Sequence, residues 1–109
     1  MAIDLPHLDV LVHNASIYQQ TPLNELTPED ALRHYRINAL SPLILSQRLA
    51  GRLTESALPG GGSIVMMLDI HTEGLPRRQF SAYAMSKAAL GQAMRTLARE
   101  LAPRVRVNG

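Results

Sequence analysis

The chain has 109 residues, enough for one domain, and 46% of them are apolar, which is typical of a folded protein rather than a disordered one. Its formal charge of +2 is too small to indicate a nucleic-acid partner, and the absence of cysteine excludes disulfides and thiolate metal sites. No apolar run approaches the roughly 20 residues that span a bilayer, and Met1-Ala2-Ile3-Asp4 lacks the pattern of a signal peptide, so we expect a cytoplasmic protein without a membrane partner.

The first predicted strand is Leu8–His13, a short and mostly apolar run with β-branched residues. It lacks the alternation of apolar and polar residues seen in a strand with one solvent-exposed face, which favours a buried strand of a parallel sheet. The strand is expected to stop at Asn14, where a polar loop begins.

A long helix is predicted next, from Pro28 to about Leu53. Thr27 is a suitable N-cap, Pro28 suits the first helical position, and acidic residues follow in the first turn. Pro42 lies inside the pattern and is expected to kink the helix. The expected buried stripe is apolar. It consists of Ile37, Leu40, Ile44 and Leu45.

The second half of the chain repeats this order of elements. Pro59–Gly62 is a predicted turn, and Ser63–Leu68 is a second buried strand. A second long helix is expected over Ser81–Ala102, ended by Pro103. Val105–Val107 then starts a third strand.

The β-α-β-α-β order predicts a parallel sheet with right-handed crossovers and helices that cover its faces, as a single partial domain over residues 1–109. Ligands of such sheets bind beyond the carboxyl ends of the strands. Asn14 follows the first strand and Asp69 the second, while Tyr83 and Lys87 begin the second helix at the same edge. These side chains are therefore expected to converge on one site.

Tyr83 and Lys87 stand four residues apart, which puts both side chains on one face of a helix. A free tyrosine has a pKa of about 10. A nearby ammonium favours the phenolate and lowers that pKa, so we expect Tyr83 to transfer a proton with Lys87 as its partner. In an unrelated chain, the same pair is more often surface packing with a snorkelling lysine.

Five features in this order and spacing resemble the short-chain dehydrogenase/reductase family, and they cover nearly the whole chain. They are His13-Asn14-Ala15-Ser16, Asn38 within Ile37-Asn38-Ala39, the strand Gly62-Ser63-Ile64-Val65, the pair Tyr83 and Lys87, and Arg104-Val105-Arg106-Val107-Asn108.

The resemblance implies a partial Rossmann-like, doubly wound α/β fold and an NAD(P)H-dependent oxidoreductase. Tyr83 would be the acid or base, and Lys87 would lower its pKa and hold the ribose of the cofactor. Asn38 would bend its helix and hold a water of a proton relay, and the backbone of Asn14 and Ala15 would line the adenosine side of the cofactor cleft. NADPH is the expected cofactor, with NADH as the alternative. A homo-oligomer formed through the two long helices is also implied.

Asp69 stands where the family usually has a serine, and it resembles the pteridine reductase and dihydromonapterin reductase branch. Its carboxylate would oppose phenolate formation at Tyr83 and accept hydrogen bonds from a pterin. The expected substrate is a pteridine such as dihydrobiopterin, dihydromonapterin or dihydrofolate, and a generic carbonyl or 3-oxoacyl reductase is the alternative. Ser16, Met66-Met67 and the fourteen-position spacing from Asp69 to Tyr83 depart from that branch.

Simpler explanations stand beside these assignments. Asp69 could cap a turn, Asn14 could end a strand, and Asn38 could be an ordinary exposed helical position. His71 is expected to be solvated and is left out of the site. Arg77-Arg78 is expected to keep a loop soluble, with contact to a cofactor phosphate or an acidic substrate as the alternative.

No glycine-rich turn that would hold a pyrophosphate precedes Leu8. The sequence is therefore expected to be a central-to-C-terminal fragment without the N-terminal nucleotide-binding half. The isolated chain is expected to bind NADPH poorly and to turn over little. A non-catalytic module that associates through its helices is the alternative.

Overall fold

In the computed structural model, residues 5–109 are described, and residues 1–4, on which the expected lack of a signal peptide rests, lie outside this range. Three parallel strands form one sheet in the order β1 (Val10–His13), β2 (Gly62–Met66) and β3 (Val105–Asn108). Leu11 pairs with Ile64 in the register of β1 and β2. The predicted α/β class is confirmed.

Three α-helices accompany the sheet: α1 (Pro28–Tyr35), α2 (Ser41–Thr54) and α3 (Ser81–Leu101). The predicted start of the first helix is confirmed. Thr27 accepts a hydrogen bond from the backbone of Asp30, whose carboxylate in turn accepts from the Thr27 backbone. This reciprocal capping box satisfies two amide groups that a bare helix end would leave unpaired.

The predicted long helix is interrupted by one π-helical turn at Arg36–Leu40, which separates α1 from α2. Pro42 has no N–H to donate to the carbonyl four residues earlier, so the regular hydrogen-bond ladder cannot continue there. The Ser41 amide instead donates to Arg36, five residues back. The expected distortion near Pro42 and Asn38 therefore takes the form of a widened turn.

α2 and α3 contact the strands of the described sheet and α1 packs against α3, whereas helices covering both faces of the sheet were expected. The strands follow one another in a single direction, and right-handed crossovers then put every connection on one side. The opposite face leaves Val10 48% and Val12 52% exposed. The core lies on the covered face. Its fully buried strand side chains are Ile64, Met66, Val105 and Val107.

The buried stripe of the long helical segment is more polar than predicted. Ile37, Leu40, Ile44 and Leu45 are only half-buried, and the buried positions include His34, Asn38, Ser46, Leu49 and Leu53. A π-turn contains one residue more than an α-turn between its hydrogen-bonded groups, so the inward-facing positions shift along the sequence. Buried His13 and Ser46 compensate each other through a 2.8 Å hydrogen bond, whereas the Nε2 of buried His34 has no hydrogen-bond partner among residues 5–109.

None of the helices within residues 5–109 has the length and apolarity needed to cross a membrane.

Candidate active site

Asp69 and Tyr83 meet at the carboxyl end of the sheet. β2 ends at Met66, earlier than the predicted Leu68, so Asp69 lies three positions beyond the strand. There Asp69 caps a short 3-10 turn, since its side chain accepts from the His71 amide at 2.7 Å. Tyr83 lies in the first turn of α3 and donates its hydroxyl hydrogen to Asp69 Oδ2 at 2.7 Å.

This contact separates the pKa values of the two groups. The hydrogen bond from Tyr83, followed by that from the His71 amide, lowers the pKa of Asp69 below its ordinary value of 3.8. Burial, followed by the hydrogen bond and negative charge of Asp69, raises the pKa of Tyr83 far above 10.0. At neutral pH the pair is therefore a protonated phenol and an ionised carboxylate.

Lys87 is 5% exposed and lies one turn after Tyr83 on α3. Its ammonium donates to the Met67 carbonyl oxygen at 2.7 Å and stands 6.0 Å from the centre of the Tyr83 ring. Burial lowers the pKa of Lys87, and the charge of Asp69 opposes that shift. The expectation that Lys87 lowers the pKa of Tyr83 is wrong for this structure, because burial and Asp69 dominate the phenol.

Asn38 is fully buried in the π-turn, so the alternative of an ordinary exposed helical position is wrong. Its side-chain oxygen accepts from the Ile17 amide at 2.8 Å, and its amide nitrogen donates to the Ile17 carbonyl at 2.9 Å and to Ser86 Oγ at 3.0 Å. Ser86 donates to the Tyr83 carbonyl at 2.6 Å. The Asn38 side chain thus ties the loop after β1 to the first turn of α3.

Asn14 and Ala15 directly follow β1 at the same edge of the sheet, and both are exposed. They are not hydrogen-bonded to Asp69, Tyr83 or Lys87. The structure therefore gathers Asp69, Tyr83 and Lys87 around one strand end and places the two loop residues beside them.

An aromatic cluster next to Tyr83 was missed by the sequence analysis. The Tyr18 ring packs edge-on against Tyr83 at 4.6 Å between centroids and stacks on Phe80 at 4.4 Å. Tyr18 and Tyr83 line an open depression of about 420 Å³ together with Asp69 and Arg77. The chain has only three tyrosines and one phenylalanine, and three of these four lie here. That scarcity is a signal that could have drawn attention to Tyr18 and Phe80.

Among residues 5–109, no cluster of three or more histidine, aspartate and glutamate side chains could hold a metal ion. His71 is exposed, as expected, and its ring nitrogen lies 3.3 Å from the Leu75 carbonyl oxygen. The site is therefore described by a phenol, a carboxylate, an ammonium and aromatic rings.

A parallel sheet whose edge carries such a set of groups is typical of a dinucleotide-dependent oxidoreductase. The family described as enoyl-(acyl carrier protein) reductase matches residues 2–109. The chain belongs to the short-chain dehydrogenase/reductase family, as its motifs predicted.

Individual relatives carry several different names. An uncharacterized oxidoreductase of Methylorubrum extorquens is 36% identical over 102 residues, which are 93% of this chain and 39% of that protein. The L-xylulose reductase of Aspergillus niger is 33% identical over 106 residues, covering 93% of this chain and 35% of the relative.

The solved structure of alternative dihydrofolate reductase 1 from Brucella canis, complexed with NADP, is also similar. It is 37% identical with a TM-score of 0.80, and the match covers 93% of this chain and 40% of that chain. This chain thus spans about two fifths of the length of the relatives that it matches.

Proposed function

We propose that the protein is an NADPH-dependent reductase of a pteridine and that Tyr83 is its proton donor. The observation that carries this proposal is the 2.7 Å hydrogen bond from Tyr83 to Asp69. Burial and that carboxylate raise the pKa of Tyr83, so the phenol keeps its proton at neutral pH. A protonated phenol can supply the acid that reduction of a C=N or C=O bond needs at the heteroatom, once its hydroxyl leaves Asp69, whose hydrogen bond and charge hold the proton on it.

The role of Asp69 is to orient the substrate and to keep Tyr83 protonated. Its lowered pKa makes it an acceptor at neutral pH, suited to the amino and ring N–H groups of a pterin. When the substrate enters, Tyr83 turns its hydroxyl from Asp69 to the ring nitrogen and gives up its proton there. Asp69 then accepts a hydrogen bond from the substrate.

The donor set fits a nicotinamide dinucleotide, which when bound supplies the hydride. Lys87 uses one N–H on the Met67 carbonyl, and two remain for ribose hydroxyls. Asn14 and Ala15 offer exposed backbone at the same edge for the adenosine side. Asn38 acts as a positioning residue that fixes the loop before Tyr18; the proton relay through a water at Asn38 is part of the proposal. NADPH rather than NADH is favoured by the NADP in the Brucella structure.

Support for a pteridine comes from Asp69 and from the 37% identity to a protein named as a dihydrofolate reductase. The second candidate is a generic carbonyl or 3-oxoacyl reductase. It is favoured by the 33% identity to an L-xylulose reductase, whose name describes a keto sugar.

The Asp69→Ser variant separates the two candidates. When the substitution is made in the whole protein, we expect kcat/KM for dihydrobiopterin to fall by at least tenfold relative to wild type, because a serine accepts hydrogen bonds less strongly than a carboxylate. Glu73→Gln is the matched control: it removes an exposed carboxylate four residues away. Unchanged pteridine reduction by Asp69→Ser, or activity on ketones alone, would contradict the pteridine proposal. Running each assay with NADPH and with NADH tests the cofactor.

We also propose that the protein is a homo-oligomer joined through its long helices. Leu32 and Tyr35 on α1 and Met85 on α3 are 48%, 43% and 70% exposed, which leaves apolar surface for a second copy. Analytical ultracentrifugation tests this proposal: a dimer or tetramer supports it, and a monomer at micromolar concentration contradicts it. The alternative of a non-catalytic module predicts that NADPH does not bind.

A further inference from the structure

Arg77 is an exposed residue whose guanidinium lies beside the aromatic cluster. Its guanidinium carbon lies 4.9 Å from the centre of the Phe80 ring and 5.5 Å from that of Tyr18. The two ring centres are themselves 4.4 Å apart, so one guanidinium contacts both members of the stacked pair. One of its N–H groups donates to the Tyr18 hydroxyl. These contacts orient a planar cation.

Within residues 5–109, Arg77 forms no ion pair with a carboxylate. Its interactions there are the hydrogen bond to Tyr18 and the two ring contacts. The charged side chains that lower the pKa of Asp69 are His71 and Lys87, and Arg77 is not one of them. With one donor used on Tyr18, four N–H groups of the guanidinium are available to an anion.

Arg77 shares a cleft with the candidate proton donor. Tyr18, Asp69, Arg77 and Tyr83 line this cleft together, an open depression with space of about 420 Å³. Lys87 lines a different depression, formed with side chains of α3 such as Gln92 and Arg95. The Arg77 guanidinium therefore lines the cleft where a substrate would contact Tyr83 and Asp69, whereas the Lys87 ammonium lines a different depression.

We infer that Arg77 is a specificity-determining residue, which binds a carboxylate on the side chain of the substrate while the ring to be reduced contacts Tyr83 and Asp69. This inference rests on the proposed function and narrows it to pteridines with an acidic tail. A guanidinium matches a carboxylate with two parallel hydrogen bonds, and one that is already oriented loses less side-chain freedom on binding.

The chain offers a matched control in the next residue. Arg78 carries the same charge and is also exposed, but it lines a separate depression with Pro22, Asn24 and Ser81. Arg77→Gln and Arg78→Gln thus make the same change of net charge, and only the first removes the cation from the cleft of Tyr83.

The test is isothermal titration of the whole protein produced from its natural gene, for which NADP binding is measured first, with folate, which carries carboxylates, and with biopterin, whose side chain is neutral. We expect Arg77→Gln to weaken folate binding about tenfold and biopterin binding less than twofold, as for loss of a charge-assisted hydrogen bond. Arg78→Gln should change neither. Arg77→Lys keeps the positive charge but lacks the planar pair of N–H donors of a guanidinium. It should therefore bind folate more tightly than Arg77→Gln and less tightly than the wild-type protein.

Two failures are distinguishable. If the wild-type protein binds neither pteridine, the proposed function is wrong. If it binds both and Arg77→Gln weakens them equally, or leaves folate unchanged, the proposed function stands and the role of Arg77 is overturned.

Discussion

Replacement of Asn38 with alanine tests how the site is held together. The Asn38 side chain makes three hydrogen bonds of 2.8–3.0 Å, two to the Ile17 backbone and one to Ser86, and it is fully buried. Alanine leaves the amide and carbonyl of Ile17 without these partners, whereas Ser86 still donates to Tyr83. An unsatisfied buried group costs about 1–3 kcal/mol. Ile17 is half-buried, so the lower half of this range applies and its two groups together give about 3 kcal/mol.

A loss of about 3 kcal/mol lowers Tm by roughly 15 °C in a domain of this size. The assay is urea denaturation followed by circular dichroism, with the free energy of unfolding extrapolated to water. Asn24→Ala is the control, since Asn24 is exposed in a 3-10 turn and should change stability by about 0.5 kcal/mol at most. If Asn38→Ala matched that control, the proposed tie between the loop and α3 would be refuted.

Two further substitutions test local features. Burial lowers the pKa of His13 below 6.5, so the unfolded state binds more protons there and stability should fall as pH drops below 6.5. His13→Asn should flatten this decline in Tm between pH 7.5 and 5, and an unchanged decline would contradict the role of His13. Gly61 has a φ of +85°, and a Cβ there would lie 2.2 Å from the Arg104 carbonyl oxygen. Gly61→Ala should therefore destabilise by more than the roughly 1–2 kcal/mol of left-handed strain expected for Gly60→Ala, where φ is +86° and a Cβ would meet the Arg106 side chain only in ordinary van der Waals contact at 3.7 Å. Equal urea midpoints would contradict the clash.

The parts of the fold set by local chemistry were predictable. Thr27 and Pro28 placed the start of α1, because caps act within one turn. Pro103 marked the end of α3, which stops at Leu101. The four-residue spacing of Tyr83 and Lys87 correctly put both on one helix.

The parts of the fold that depend on tertiary contacts were not predictable from the sequence. The π-turn shifted which positions of the long helix face inward, and periodicity assumes a constant 3.6 residues per turn. The partner of Lys87 is the backbone carbonyl of Met67, which leaves no trace in residue types. Tyr18 reaches Tyr83 across 65 positions of sequence, and only the folded loop brings their rings together.

Asp69 illustrates both cases. The sequence placed a carboxylate near Tyr83 and predicted that it opposes phenolate formation, and the hydrogen bond between them agrees. Burial contributes more to the raised pKa of Tyr83, and it depends on packing against rings such as Tyr18 that the sequence analysis had not assigned.

A spectrophotometric titration of Tyr83 would decide whether its phenol is protonated at neutral pH. The tyrosinate absorbance is followed against pH in the wild-type protein and in Tyr83→Phe, and their difference isolates this one group. Ionisation should begin only above pH 10, the ordinary value for tyrosine, and Asp69→Asn should bring it lower by removing the adjacent negative charge. A difference signal that appears near neutral pH would mean that the group stands ready as a base, contrary to everything proposed for the reaction.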